Sequence, residues 1–430
     1  MRWFLRAWLL VLLAGLAGLG WVLFGQPGQR AEVVLTGPVD AAMLADPERI
    51  ANGAYLARVG DCATCHTARG GAPYAGGRSI VTPFGSVPAP NLTPDRETGL
   101  GLWTFADFWR AMHLGQGRHG KWLYPAFPYT SYTHVTRDDT LAIFAYLRSL
   151  PAVRQVPEPL GLDYPYRLRS TLAAWRALYF GQGVFQPDGA QSAQWNRGAY
   201  LVQGLGHCNE CHAERGALGG IAKNARLTGG QIPVQNWYAP DLSTQQNGGL
   251  AGWSEQDIVD LLQTGQSAKG AAFGPMADVV AQSTQHMTDA DLHAIAVYLA
   301  SLPPRAPKPA PHSAFNVARI ASAGEKIYLE RCADCHGRDG NGVAGVYPPL
   351  NGNSAMSEPT GINATRMVLL GGFPPATAGN PRPYSMPPFA QQLNDSDVAL
   401  VVSYIRQAWS NKASIVRPEQ VSTYRHTPID

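Results

Sequence analysis

The stretch DCATCH at residues 61–66 places two cysteines three positions apart, with a histidine directly after the second. The same C-x-x-C-H pattern returns as HCNECH at residues 207–212 and as RCADCH at residues 331–336. Together the three motifs use all six cysteines of the chain. Such regular use of cysteine indicates that one chemical function is repeated three times.

Three ordinary roles of cysteine fit this pattern poorly. A disulfide framework for a chain of 430 residues would not set every pair three residues apart with histidine next. A closed zinc site needs four ligands, and no second Cys pair or H-x-x-H follows any motif at the usual distance. Thioredoxin-like chemistry would need one such pair in a βαβ unit.

Covalent attachment of heme c accounts for both the spacing and the histidine. Two thiols on one helical turn can add to the two vinyl groups of one porphyrin, and the adjacent histidine then becomes a ligand of the iron. The sequence therefore predicts three covalent hemes, which together would form an electron relay. The attachment residues are Cys62, Cys65, Cys208, Cys211, Cys332 and Cys335, and the histidine ligands are His66, His212 and His336.

The N-terminus suggests export from the cytoplasm. Residues Ala7–Phe24 contain no charge and reach roughly across a bilayer as a helix, while Arg2 and Arg6 precede them. The stretch is either a retained transmembrane anchor, which we favour, or a cleaved signal peptide. Both place the body on the periplasmic side of the cytoplasmic membrane. A net charge of +3 without basic runs excludes a nucleic-acid partner.

Each C-x-x-C-H motif lies within a larger repeated unit. A short amphipathic stretch with a glycine and a tyrosine precedes each motif, a Pro- and Gly-rich passage follows it, and a capped helix closes the unit. The glycines are expected to let the first helix of a unit approach the last one closely. The closing helices are predicted to begin at the N-caps Thr136, Thr288 and Asn394, each with Asp three residues later.

This arrangement resembles class I cytochrome c domains. The chain from about residue 48 to 410 is similar to the triheme cytochrome c subunits of bacterial membrane-bound dehydrogenases for alcohols, gluconate, sorbitol or aldehydes. The match rests on the three motifs and on WNRGAYLV at 195–202, GPMADVV at 274–280 and YSMPPF at 384–389. It implies an all-α fold of three tandem domains after an N-terminal transmembrane helix. It also implies a non-catalytic subunit that passes electrons to ubiquinone or a terminal oxidase.

Domain boundaries follow from the repeat. The predicted segments are an anchor or signal peptide at 1–29, a first cytochrome c domain at 45–152, a linker at 153–190, a second domain at 191–303, a Pro-rich linker at 304–314, a third domain at 315–412 and a C-terminal tail at 413–430.

The resemblance also implies a methionine as sixth iron ligand in the loop before each closing helix. Met386 is placed for this role in the third unit and Met276 in the second, where Met287 is the competitor and is better explained as a core residue. A thioether ligand would raise the reduction potential of the heme. In the first unit Phe127 occupies the expected position, and phenylalanine cannot bind iron. The candidates there are Met112, His113, His119 and His134, or no protein ligand at all.

The partner is expected to be a catalytic dehydrogenase subunit. Phe127 and the following TSYTHVT resemble cytochrome subunits that accompany molybdopterin and iron–sulfur aldehyde dehydrogenases, with a small iron–sulfur subunit as a further partner. The alternatives are a PQQ alcohol dehydrogenase and a flavin-dependent polyol or gluconate dehydrogenase. A different class of function is a heme enzyme in its own right, a peroxidase or sulfur-compound oxidase that uses an open first heme.

Overall fold

A computed structural model describes residues 39–243, 249–304 and 317–426, together with six isolated positions before residue 20. Most of the predicted anchor and of the Pro-rich linker lies outside these residues. The chain divides into two compact units. The first comprises Met1–Leu56, Cys65–Phe185 and Gly216–Gly220, and the second comprises Ala57–Thr64, Gln186–Arg215 and Ile221–Asp430. The predicted boundaries of three separate domains stay a prediction.

Helices dominate both units. The α-helices of the described residues are α1 (Ala41–Ala45), α2 (Pro47–Val59), α3 (Cys62–His66), α4 (Phe105–Leu114), α5 (Tyr129–Tyr132), α6 (Arg137–Ser149), α7 (Thr171–Tyr179), α8 (Ala193–Tyr200), α9 (Glu255–Thr264), α10 (Pro275–Gln282), α11 (Asp289–Ala300), α12 (Val317–Arg331), α13 (Ala333–His336), α14 (Ile362–Leu370), α15 (Asp395–Gln407) and α16 (Pro418–Arg425). Helix α8 continues directly into a π-helical turn at Leu201–Leu205.

Short antiparallel strands interrupt the helices. The first unit has a three-stranded sheet in the order β1 (Ser79–Thr82), β2 (Gly85–Pro88) and β3 (Gly161–Leu162). The second unit has two hairpins. They are β4 (Thr228–Ile232) with β5 (Trp237–Asp241), and β6 (Gln266–Ser267) with β7 (Gly270–Ala271). In the first hairpin Gln231 lies opposite Tyr238 and Ile232 lies opposite Trp237.

The predicted fold class, an all-α chain behind an N-terminal transmembrane helix, is wrong. The Pro- and Gly-rich passages after the first two motifs form hairpins, because their extended residues pair across tight turns. Strands of two to five residues are too short for a periodic pattern to reveal in the sequence. Within the described part of the chain, no helix combines the length and apolar character that crossing a membrane requires.

The predicted close approach of the first and last helix of each repeat is confirmed. In all three repeats a glycine of the first helix faces a backbone carbonyl of the closing helix, with no room for a side chain. A β-carbon added to the glycine would lie 1.9 Å from the oxygen of Ala142 at Gly53, 1.9 Å from that of Ala294 at Gly198, and 2.4 Å from that of Leu400 at Gly324. Carbon atoms cannot approach oxygen so closely, so each crossing requires glycine.

The predicted caps of the closing helices are confirmed as well. In each helix the N-cap side chain accepts a hydrogen bond from the backbone N–H of the Asp three residues later, which satisfies one exposed donor of the first turn. The distances are 3.3 Å from Asp139 to Thr136, 3.2 Å from Asp291 to Thr288 and 3.0 Å from Asp397 to Asn394. These helices contribute buried apolar residues to the core, among them Leu141, Leu292 and Val398.

Candidate functional site

The three C-x-x-C-H motifs fold as single tight turns. The first lies within α3, and in the third Cys332 precedes α13. The second begins with a 3₁₀ turn at Cys208–Glu210. The backbone N–H of His212 donates to the carbonyl of Cys208 at 2.9 Å, and His336 pairs with Cys332 in the same way at 3.0 Å. The turn therefore brings the first cysteine and the histidine to the same side of the backbone.

All three motif histidines have the same hydrogen-bond partner, a proline carbonyl. The Nδ1 to oxygen distances are 2.8 Å from His66 to Pro90, 2.7 Å from His212 to Pro240 and 3.1 Å from His336 to Pro348. A carbonyl can only accept, so Nδ1 carries the proton and the lone pair lies on Nε2. An imidazole held in this tautomer fits an iron ligand, since a metal-bound histidine usually donates its other N–H to an oxygen.

Burial keeps these imidazoles neutral. Desolvation by the surrounding protein lowers the pKa of His66, His212 and His336, and the hydrogen bond to the proline carbonyl opposes this effect only in part. A neutral imidazole has a free lone pair, whereas a protonated one cannot bind a metal. The three side chains are therefore prepared for ligation at neutral pH.

The first cysteines of the second and third motifs are neutral thiols. Burial raises the pKa of Cys208 to about 12 and that of Cys332 to about 11. None of the six motif cysteines forms a disulfide, and in the described ranges no group of three or more His, Cys, Asp or Glu residues could hold a metal ion. Thioether attachment of a porphyrin suits them better.

Comparison with known proteins decides between these chemistries. A family model described as Cytochrome c matches residues 50–151, 196–303 and 321–409. The chain belongs to the cytochrome c family. Covalently bound heme c is therefore its cofactor, and electron transfer is its function. The three matched ranges each contain one C-x-x-C-H motif.

Several relatives of this cytochrome c belong to dehydrogenases. The chain is 39% identical to the alcohol dehydrogenase (quinone), cytochrome c subunit, of Gluconacetobacter polyoxogenes over 86% of its own length and 82% of that protein. It is 36% identical to the gluconate 2-dehydrogenase cytochrome c subunit of Pantoea cypripedii over 91% and 94%. It is 40% identical to a subunit of the nicotinate dehydrogenase of Pseudomonas putida, over 84% of the chain and 31% of that protein. The predicted resemblance to dehydrogenase cytochrome subunits is confirmed.

Met386 of this cytochrome c lies in a loop that is held in place by backbone hydrogen bonds between Met386 and Gly372. Its N–H donates to the carbonyl of Gly372 at 2.9 Å, and the N–H of Gly372 donates back to Met386 at 3.0 Å. Gly371 has φ +77°, and a β-carbon there would lie 2.5 Å from the oxygen of Met386. The half-buried Met386 packs against the core around α14 and α15. The role of Met386 as an iron ligand stays a prediction.

Met276 lies in the first turn of α10 and is half-buried. The helix begins after Gly274, whose φ of +53° favours glycine and whose Cα faces the ring of Trp237. The competitor Met287 is buried, with 7% of its surface exposed, as expected of a core residue. Ligation by Met276 also stays a prediction.

The candidate ligands of the first unit lie in different surroundings. His113 is 1% exposed, and its Nε2 lies 2.7 Å from the carbonyl of Val135. Burial lowers the pKa of His113 to about 4, so the imidazole is neutral and donates from Nε2. This hydrogen bond connects α4 to the segment between α5 and α6. Phe127 packs against the ring of Tyr132 at 5.4 Å.

The remaining candidates of the first unit are one buried, one exposed and one half-buried side chain. Met112 is buried within α4, and His119 is exposed. His134 is half-buried, and its Nδ1 lies 2.8 Å from the carbonyl of Gly183. The choice among these three residues, His113 and no protein ligand at all stays a prediction.

Sequence reasoning missed the three prolines that orient the histidines. A short signal was present, because Pro-x-Leu recurs after every motif, as Pro-Asn-Leu at 90–92, Pro-Asp-Leu at 240–242 and Pro-Pro-Leu at 348–350. The distance along the chain between histidine and proline varies from 12 to 28 residues. A search for a fixed spacing could therefore not have paired them.

Proposed function

We propose that this cytochrome c carries three covalent hemes and relays electrons from a catalytic dehydrogenase subunit to ubiquinone or a terminal oxidase. The observation that carries the proposal is the threefold repetition of a C-x-x-C-H turn with its histidine held by a proline carbonyl. One such unit would be an isolated redox site. Three units in one chain, each inside a range that matches the family, support a relay.

When bound, each heme supplies an iron that takes up and releases one electron. The residues of the chain determine how easily this happens. The proline carbonyls increase the basicity of the histidines, and basic imidazoles favour ferric iron. We propose that Met276 and Met386 complete the coordination of two irons and favour their ferrous state. The second and third hemes along the chain would then have higher reduction potentials than a first heme whose sixth ligand is a histidine.

We propose a molybdopterin and iron–sulfur dehydrogenase as the partner, with quinoprotein and flavoprotein dehydrogenases as the competing classes. The support is the resemblance of the Phe127 loop, with the TSYTHVT that follows it, to the cytochrome subunits of that class. Affinity purification of the tagged chain from its native cells, followed by cofactor analysis of what accompanies it, tests the assignment. Molybdenum and iron–sulfur clusters are expected. PQQ or flavin without molybdenum would overturn this choice of partner.

We propose a periplasmic location at the surface of the cytoplasmic membrane. The support is chemical, because six cysteines kept for thioether bonds and a quinone acceptor both suit that compartment. Cell fractionation with activity measured on added ubiquinone analogues tests this. Heme-containing protein in the periplasmic or membrane fraction is expected, and a heme-containing cytoplasmic protein would contradict it.

The relay is tested by removing one iron ligand. His212→Ala is expected to leave a folded protein whose partner still oxidises its substrate with an artificial acceptor but no longer reduces quinone at the normal rate. His426→Ala provides the control, because this histidine is exposed and its Nδ1 lies 2.8 Å from the carbonyl of Ser422 in the adjacent helix α16, far along the chain from any motif. Unchanged quinone reduction in His212→Ala would refute the relay.

A further inference from the structure

Strand β5 carries the carbonyl that orients the second motif histidine. Pro240 accepts from Nδ1 of His212 at 2.7 Å. Strand β4 pairs with one edge of β5. The backbone N–H of Gly229 in β4 donates to the carbonyl of His212 at 3.1 Å. The position of the imidazole therefore depends on where this two-stranded hairpin lies.

The outer edge of β5 is held by a side chain from α14. The Nδ2 of Asn363 donates to the carbonyl of Tyr238 at 2.8 Å, and the N–H of Tyr238 donates to Oδ1 of Asn363 at 2.9 Å. This amide exchanges two hydrogen bonds with one strand residue, as a neighbouring strand would. Asn363 is 2% exposed, so water does not compete strongly for these bonds.

Tyr238, which Asn363 holds through this pair of hydrogen bonds (the Asn363 clamp), and Pro240, which accepts from His212, direct their carbonyls to the same edge of β5. Tyr238 and Pro240 are two residues apart, and alternate residues of an antiparallel strand direct their carbonyls to the same side. Their carbonyls are therefore about 7 Å apart along the strand. A shift of the strand at Tyr238 is transmitted to Pro240 with little loss over this distance.

A second contact connects the same helix to the loop of Met276. The guanidinium of Arg366 lies over the ring of Trp237 in β5, 4.7 Å from its centroid. The same ring also neighbours Gly274, which precedes α10, and Phe273, whose ring centroid is 5.5 Å away. Strand β5 thus supports both His212 and the segment that carries Met276, while α14 holds β5.

We propose that Asn363 is a positioning residue for the second heme, acting from the third repeat through β5. The inference rests on the proposed function, because it assumes that His212 ligates an iron. Loss of the clamp loosens Pro240 and weakens the hydrogen bond from Nδ1 of His212. A less basic imidazole favours ferric iron less, so the potential of the second heme rises. The potentials of the other two hemes stay unchanged.

The test is a spectroelectrochemical titration of the full heme-containing chain. The redox transition that is missing from the titration of His212→Ala identifies the second heme and is called the second step. Asn363→Ala is expected to shift that step to higher potential, and Asn363→Ser, which replaces the amide by a shorter hydroxyl, is expected to shift it in the same direction. Hydrogen exchange of the Tyr238 amide is expected to quicken in Asn363→Ala by about fivefold or more, the factor that one neutral hydrogen bond is worth.

Asn380→Ala is the matched control. This asparagine lies after α14 and also contacts the second repeat, through Gln266 at 3.3 Å, but that contact is to β6 and not to β5. An equal shift in Asn380→Ala, or an unshifted second step in both Asn363 variants, would overturn the inference. A wild-type chain with fewer than three hemes would overturn the proposed function itself. If Asn363→Ala does not fold, Asn363→Ser alone decides.

Discussion

Substitution of Gly198 by alanine tests the helix crossing on which each repeat depends. The added methyl carbon would lie 1.9 Å from the oxygen of Ala294 and 2.8 Å from Cβ of Tyr298. Ordinary contact begins at 3.4 Å, so α8 and α11 must separate by about 1.5 Å, because a backbone oxygen cannot rotate away. The substitution therefore disturbs two whole helices.

The expected loss in the free energy of unfolding is the difference between two effects. Overpacking costs about 1–3 kcal/mol, and the upper end applies where backbone meets backbone. Alanine recovers about 1 kcal/mol, because glycine is the poorer helix former. The expected net loss is about 2 kcal/mol. With a urea dependence of about 2 kcal/mol per molar, the unfolding midpoint falls by about 1 M.

Urea unfolding of the heme-containing chain, followed by circular dichroism and by heme absorbance, measures this loss. Gly189→Ala is the control, since a β-carbon at Gly189 meets no atom within 4 Å. It should leave the midpoint unchanged within error. A midpoint for Gly198→Ala equal to that of Gly189→Ala would refute the argument that the crossing excludes a side chain.

Three further predictions concern buried groups and one candidate ligand. The pKa of His113 is lowered to about 4, so the folded chain favours the neutral imidazole and loses about 3 kcal/mol of stability as the pH falls from 6.5 to 4. His113→Gln should remove this part of the pH dependence of the unfolding free energy, and an unchanged pH dependence would contradict the prediction. Arg406→Ala leaves Glu358 buried without its partner at 3.7 Å and should cost about 3–5 kcal/mol in chemical unfolding. Arg154→Ala, at an exposed ion pair, should cost under about 1 kcal/mol, and equal losses would show that burial does not matter. Met386→Leu should lower the reduction potential of one heme, and an unchanged titration would exclude this sulfur as a ligand.

Local chemistry of the sequence predicted the parts of the fold that depend on few residues. The caps at Thr136, Thr288 and Asn394 follow from one side chain and one N–H each, so they are visible in the sequence. The glycine crossings follow from the repeat, because only a position that excludes side chains would keep glycine in the middle of three helices.

The features that were missed depend on residues far apart in the chain. The hairpins have strands of two to five residues, and the partner of His66 is 24 residues away at Pro90. The contact of Asn363 with Tyr238 spans 125 residues and involves only backbone atoms of β5. Backbone groups such as those of Tyr238 belong to almost any residue type, so the sequence has no signal for this second contact.

The central claim is that three porphyrins are attached covalently to this chain. The intact mass of the purified mature chain, measured under denaturing conditions, tests it most directly. The expected mass is that of the polypeptide plus three hemes, with all six motif cysteines protected from alkylation. A mass with fewer hemes, or alkylation of Cys62, Cys208 or Cys332, would contradict the claim.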